Sequence, residues 1–157
     1  MIRDLIKKHE GFSNVPSKCP AGKQTIGWGH NIDAHPLPKD IEGYLFAKGY
    51  ILPEHAERLL SADIEMATQD CRQLYPGFDS FSDRRRAALI DFLYNIGIVR
   101  AKGFKLMQKA ILAGDWNEAA EQVRDSAYWR QLGGDPVGTD DGRTERPEVI
   151  YRMLKEG

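Results

Sequence analysis

Apolar positions recur at helical spacing in several stretches of the chain and lose that spacing in one long stretch between them. Ile2, Leu5 and Ile6 put an apolar stripe on a short helix over residues 3–10, which Gly11 stops. Residues 13–52 differ in character. Pro16, Pro20, Pro36, Pro38 and several glycines interrupt short alternating runs such as KQTIGWGHNI, so the spacing predicts loops with a small antiparallel hairpin or meander. From Pro53 the helical period returns: Ala56, Leu59, Leu60, Ile64, Ala67 and Cys71 line one face of an amphipathic helix over 53–71, about five turns long. After YPGF and a Ser-rich turn, residues 83–96 are apolar almost all round, the pattern of a central buried helix. Helices are predicted over 104–113, 115–124 and 126–131. A loop follows at 133–142 (GGDPVGTDDG), then a last helix over 146–155 with Pro147 in its first turn.

Strands and helices are segregated along the chain, so the fold class is α+β. The layout is a single domain: an N-terminal helix (1–12), a β lobe (13–52), a connecting helix (53–72) and a helical lobe (73–157). The first helix is too short to stand alone. It is expected to pack on the helical lobe, bringing Glu10 to where the lobes meet, a favoured place for ligand sites. The chain has 157 residues, 41% of them hydrophobic and 29% charged, which suits one globular unit with its own core and excludes wholesale disorder. A net charge of -1 leaves no broad basic face, which argues against nucleic acid as a partner. No apolar run approaches the roughly 18 residues of a membrane span. The opening MIRDLIKKHEGF holds no apolar core of a secretory signal. With only Cys19 and Cys71, no disulfide framework is expected, and reduced thiols suit synthesis in the cytoplasm.

Glu10 ends its helix just before Gly11 and Phe12. A helix C-terminus disfavours negative charge, and so does burial. A carboxyl kept protonated near neutral pH is what a general acid needs; from position alone, a plain surface carboxylate remains the alternative. On a strand, Thr25, Gly27 and Gly29 share one face and Ile26, Trp28 and His30 the other. One hydroxyl and two glycines leave room for a ligand against the backbone; a bulge or tight turn is the rival reading. Cys19 is ambiguous: a small buried hydrophobe, a nucleophile paired with His30, or a zinc ligand with His30, Asp33 and His35, none at a specific spacing. His30 also suits a structural pair with Asp63 on the long helix. Trp116 and Trp129 read as bundle core, and Arg84, Arg85 and Arg86 as a solvated helix start.

Taken together, these residues resemble a known family. Glu10, then eight residues, Cys19, then five residues, Thr25 is similar to the Glu-8-(Asp/Cys)-5-Thr signature of phage T4-type lysozymes, the endolysins of glycoside hydrolase family 24. TIGWGHN follows as the family's TIGxGH run does. RRRAALIDFLYNIG resembles its central helix, AGDWNEAAEQV its next-to-last stretch and GRTERPEVIYRML its closing Arg-rich helix. The resemblance implies a lysozyme-like fold, with a small β-hairpin lobe and a larger helical lobe joined by a long helix. It implies hydrolysis of the β-1,4 bond between N-acetylmuramic acid and N-acetylglucosamine in bacterial peptidoglycan, ending in host lysis. Glu10 would be the acid, and Thr25 would hold the water. Cys19 would stand where most members carry Asp, either assisting that water as a thiolate or standing by. A free thiol, with a pKa of about 8.5, is mostly protonated near neutral pH unless neighbours such as Lys18 and Lys23 lower it. A Cys19–Cys71 disulfide would block the site. Gly27, Gly29, Tyr94, Asn95 and Gln122 fall in stretches that resemble the substrate-lining parts of the family, and His30–Asp63 its hairpin-to-helix ion pair. No cofactor or metal is implied. A monomer is expected, exported from the host cytoplasm through a holin to reach peptidoglycan. The rivals are a peptidoglycan-binding protein of the same fold without activity, and a thiol-dependent amidase using Cys19.

Overall fold

The computed structural model describes residues 1–19, 22–132 and 145–157; the loop expected over 133–142 lies outside them. The chain forms two compact units, Met1–Met66 and Ala67–Gly157. The division falls inside helix α3 (Pro53–Leu74), which contributes to both. The fold is mainly helical α+β, with its sheet near the N-terminus.

Unit 1 begins with α1 (Ile2–Glu10), whose last turn closes with the Gly11 N–H donating to the Lys7 carbonyl. Strands β1 (Ser13–Lys18), β2 (Gln24–Gly27) and β3 (His30–Asn31) make an antiparallel meander in the order β1-β2-β3. Pro16 sits on the edge strand, where a residue without an N–H costs no ladder bond, and the register slips between Ser13 and Ser17 around it. The core of the unit is Ile26, Leu37, Ile41, Ile51, Ala56 and Leu59, with Trp28, Ile32 and Leu45 packed against it. Ile51 N–H also bonds the Asn14 carbonyl at 2.9 Å, tying the chain before α3 to the edge strand.

Helix α2 (Lys39–Lys48) occupies part of the stretch read as loops and strands. Asp40 and Glu42 in its first turn and left-handed Gly49 after its last are helix signals. Apolar periodicity does not reveal it, because Ile41 is its buried residue while Phe46 is 93% exposed.

In unit 2, α4 (Asp83–Ala101) carries the buried run Ala87–Leu93, with Phe92 in edge-to-face contact with both Phe104 and Tyr128. Ser82 caps it through the Arg85 N–H. The helix proper stops at Gly97 (φ 78°, ψ 159°), close to its predicted end, and one more turn follows. Helices α5 (Lys105–Leu112), α6 (Trp116–Arg124), α7 (Ala127–Gln131) and α8 (Arg146–Glu156) lie within two residues of their predicted ends, with Asp115 and Ser126 as N-caps. Helix α8 packs on α6 and α4. The arginine run is not simply solvated: Arg85 stacks over Trp116 and donates to the Leu154 carbonyl at 2.9 Å. Trp129 is buried, and Trp116 half-buried.

Candidate active site

Glu10 is the last residue of α1, and its carboxyl lies directly on the backbone of Gly29. A methyl group built on Gly29 would sit 2.6 Å from Glu10 Oε2 and 2.8 Å from its Cδ. Gly29 also holds φ at 75°, a region costly for any residue with a side chain. The backbone conformation favours glycine here, and a side chain at this position would push the Glu10 carboxyl aside.

The run Thr25–His30 is not one strand. The chain turns back at Trp28 and Gly29, so Thr25 faces Asn31 and Ile26 faces His30 across β2 and β3. Left-handed glycines at 27 and 29 make that turn possible and break the alternation read across the run. Ile26 and His30 share the buried face; Thr25 and Asn31 share the other. Gly27 does not line an open face: it is buried against Ala56 of α3.

Thr25 lies on the central strand opposite Ser17, and its hydroxyl reaches the Ser17 carbonyl at 3.4 Å. Cys19 continues the same ladder beyond β1, its N–H bonded to the Lys23 carbonyl at 2.9 Å. Alternation along β1 puts Cys19 on the side of Ser17, and therefore of Thr25. Cys19 and Thr25 thus sit on the two arms of one hairpin, Cys19 half-buried and with a free thiol.

His30 is buried, with Nδ1 2.8 Å from Asp63 Oδ2 and Nε2 2.8 Å from the His35 carbonyl. Both neighbours are acceptors, so only the doubly protonated imidazolium satisfies them together. Burial by itself pushes its pKa down, but the hydrogen bond and charge of Asp63, with the His35 carbonyl, outweigh it and hold the pKa above the ordinary value. With both nitrogens engaged, His30 is neither a base for Cys19 nor a metal ligand. Asp33 is likewise occupied, accepting from the Gln24 N–H. No metal-binding cluster occurs among the described residues. Cys71 is fully buried in unit 2, where burial and the nearby Asp70 push its thiol pKa up; both cysteines are free, and no disulfide joins them.

Tyr94, Asn95 and Gln122 belong to unit 2. Gln122 lines a concavity of about 410 Å³ with Arg100, Phe104, Lys105 and Asp125; Tyr94 is half-buried on α4 and Asn95 exposed beside it.

Two groupings escaped the sequence reading. Around Glu10, Lys7 lies over the Trp28 ring at 4.2 Å, the Phe12 ring packs on Trp28 at 5.0 Å, and Glu57 accepts from both Arg3 and Lys7. Lys7 first and Arg3 second hold the Glu57 carboxyl below its ordinary pKa. In unit 2, Asp91 is fully buried and takes two guanidinium bonds from Arg146, at 2.6 and 3.2 Å. A carboxylate inside the apolar run 87–96 signals that a cation must meet it, but nothing in the sequence picks Arg146 from the other arginines.

The profile of one family, described as phage lysozyme, matches residues 7–146. The chain is 24% identical over 152 residues to a probable T4-type lysozyme of Dictyostelium discoideum, covering 83% of this chain and 85% of that protein. It is 28% identical over 151 residues to the endolysin of Bacillus phage B103, covering 94% of this chain and 51% of that one. It is 26% identical over 147 residues to the pre-baseplate central spike protein Gp5 of Enterobacteria phage T4, covering 85% of this chain but 26% of the spike protein. The chain therefore spans about a quarter and a half of the two phage proteins.

Proposed function

The chain belongs to the phage lysozyme family, and from that premise we propose that it is a muramidase acting as an endolysin. Its substrate is peptidoglycan, which the family implies, and the bond cleaved is the β-1,4 link from N-acetylmuramic acid to N-acetylglucosamine. Glu10 gives its proton to the glycosidic oxygen as the bond from C1 to that oxygen breaks. A water held by the Thr25 hydroxyl attacks C1, and Cys19, reacting as the thiolate on the same side of the hairpin, takes the proton that water loses and becomes the thiol. Acid assistance of this kind contributes on the order of a hundredfold or more to such reactions. The reading includes a monomer made in the host cytoplasm and passed through a holin to the wall.

The observation that carries the reading is the Glu10 carboxyl seated on the bare backbone of Gly29. That carboxyl lies at the turn that closes the strand bearing Thr25, where no side chain from position 29 stands over it, and this supports its reading as the acid. The thiol-amidase reading loses support because His30 has no nitrogen left to activate Cys19.

The test is reducing-end release from outer-membrane-permeabilised bacteria by the wild type, Glu10→Gln and Cys19→Ser. Reducing ends from the wild type and none from Glu10→Gln support the muramidase. A wild type that binds walls without releasing reducing ends, or that releases amino groups instead, overturns it. A fall of about tenfold or more in Cys19→Ser supports the thiol as proton acceptor; an unchanged rate removes that role and leaves Glu10 standing.

A further inference from the structure

Helix α1 has nine residues and no side-chain N-cap, too little to hold its own orientation. Yet its last residue, Glu10, must point at one place to act as an acid. Two contacts that flank it meet at Trp28. Lys7, one turn before Glu10 on the same helix face, lies with Nζ over the indole at 4.2 Å. Phe12, two residues after Glu10, packs its ring on the same indole at 5.0 Å. Trp28 is the first residue of the two-residue turn whose second residue, Gly29, carries the Glu10 carboxyl. The indole is itself seated on the core of unit 1. Arg3 and Lys7 also hold Glu57 of α3, which anchors the outer part of the helix.

We infer that Trp28 is a positioning residue for Glu10, gripping α1 on both sides of the acid through Lys7 and Phe12 and so locking the carboxyl onto Gly29. The inference rests on the proposed muramidase reading and adds a residue to it that the signature Glu10, Cys19, Thr25 leaves out. The physical basis is geometric. An acid must lie within hydrogen-bonding reach of its oxygen, and a displacement of about 1 Å is enough to cost on the order of a hundredfold in rate. A cation three residues before Glu10 and a ring two residues after it, both on one indole, restrain the helix end more than a single contact does.

The experiment compares Trp28→Leu and Trp28→Phe with the wild type in reducing-end release from soluble, uncrosslinked peptidoglycan strands. Folding is checked by circular dichroism at the assay temperature. In Trp28→Leu, kcat is expected to fall about tenfold or more with KM changed less than about twofold. Trp28→Phe keeps a ring for Lys7 and Phe12 and is expected to recover most of the rate. Wild-type kcat in folded Trp28→Leu overturns the inference, as does an equal loss in both variants. If Trp28→Leu does not fold, Lys7→Met and Phe12→Leu take its place, and unchanged kcat in both overturns it. Amide exchange gives a readout without substrate: the Gly11 N–H, bonded to the Lys7 carbonyl at 3.1 Å, should exchange faster in the disabling variants. Unchanged exchange there refutes the grip even if the wild type proves inactive, an outcome that by itself refutes only the muramidase reading.

Discussion

Replacing Asp63 by Asn tests whether the His30 pair stabilises unit 1 as an ion pair. His30 is 5% exposed, and its two nitrogens meet a carboxylate and a carbonyl, so the charged imidazole is the form the fold prefers. Removing one partner of a buried pair typically costs about 3–5 kcal/mol; Asp63 keeps some contact with water, so the lower end applies, about 3 kcal/mol. In a chain of this size that corresponds to a loss of roughly 6–12 °C in Tm. The folded pKa of His30 lies above its unfolded value. Its contribution is therefore fully present below the unfolded pKa, about 6.5, and is lost as pH rises through the higher folded value. Thermal melts of the wild type and Asp63→Asn at constant ionic strength, from about pH 5 to about pH 9, should show the largest gap in Tm at the acid end and a shrinking gap above neutrality. A gap that stays constant across that range, or widens towards high pH, would mean that His30 is held neutral, and the charge argument would be wrong.

Gly29→Ala should fold, with a backbone strain of about 1–2 kcal/mol, but lose about a hundredfold in reducing-end release, because its methyl displaces the Glu10 carboxyl. Arg146→Met strands the buried Asp91 carboxylate and should lower stability by about 3–5 kcal/mol in urea titrations; the double change with Asp91→Leu should recover a large part of that loss. Phe92→Ala, which empties a fully buried site between Phe104 and Tyr128, should cost about 3–5 kcal/mol in the same titrations. Ser82→Ala removes the cap on α4 and should cost only about 1 kcal/mol.

Sequence alone sufficed for the helices of unit 2 and for α3, because most bury several apolar residues at helical spacing and several carry an explicit cap, as Ser82, Asp115 and Ser126 do. The same reasoning missed α2, which buries Ile41 and leaves Phe46 in water, since a helix with little amphipathicity leaves little periodic trace. Glu10, Cys19 and Thr25 stood out as candidates only through their resemblance to a family signature. Their surroundings were not legible. The two glycines after Thr25 were visible, but one serves packing on Ala56 and the other seats a carboxyl, and the residue type is the same in both cases.

What the sequence determined by itself, then, is what depends on near neighbours along the chain: helical period, caps, turn glycines and the order of the candidate residues. Tertiary structure decided the pairings whose members lie far apart: Glu10 on Gly29, Trp28 between Lys7 and Phe12, His30 with Asp63, and Arg146 with Asp91. Charge, size and polarity tell a residue what kind of partner it needs. Which partner it meets is fixed only when the chain closes on itself and burial makes an unpaired polar group costly.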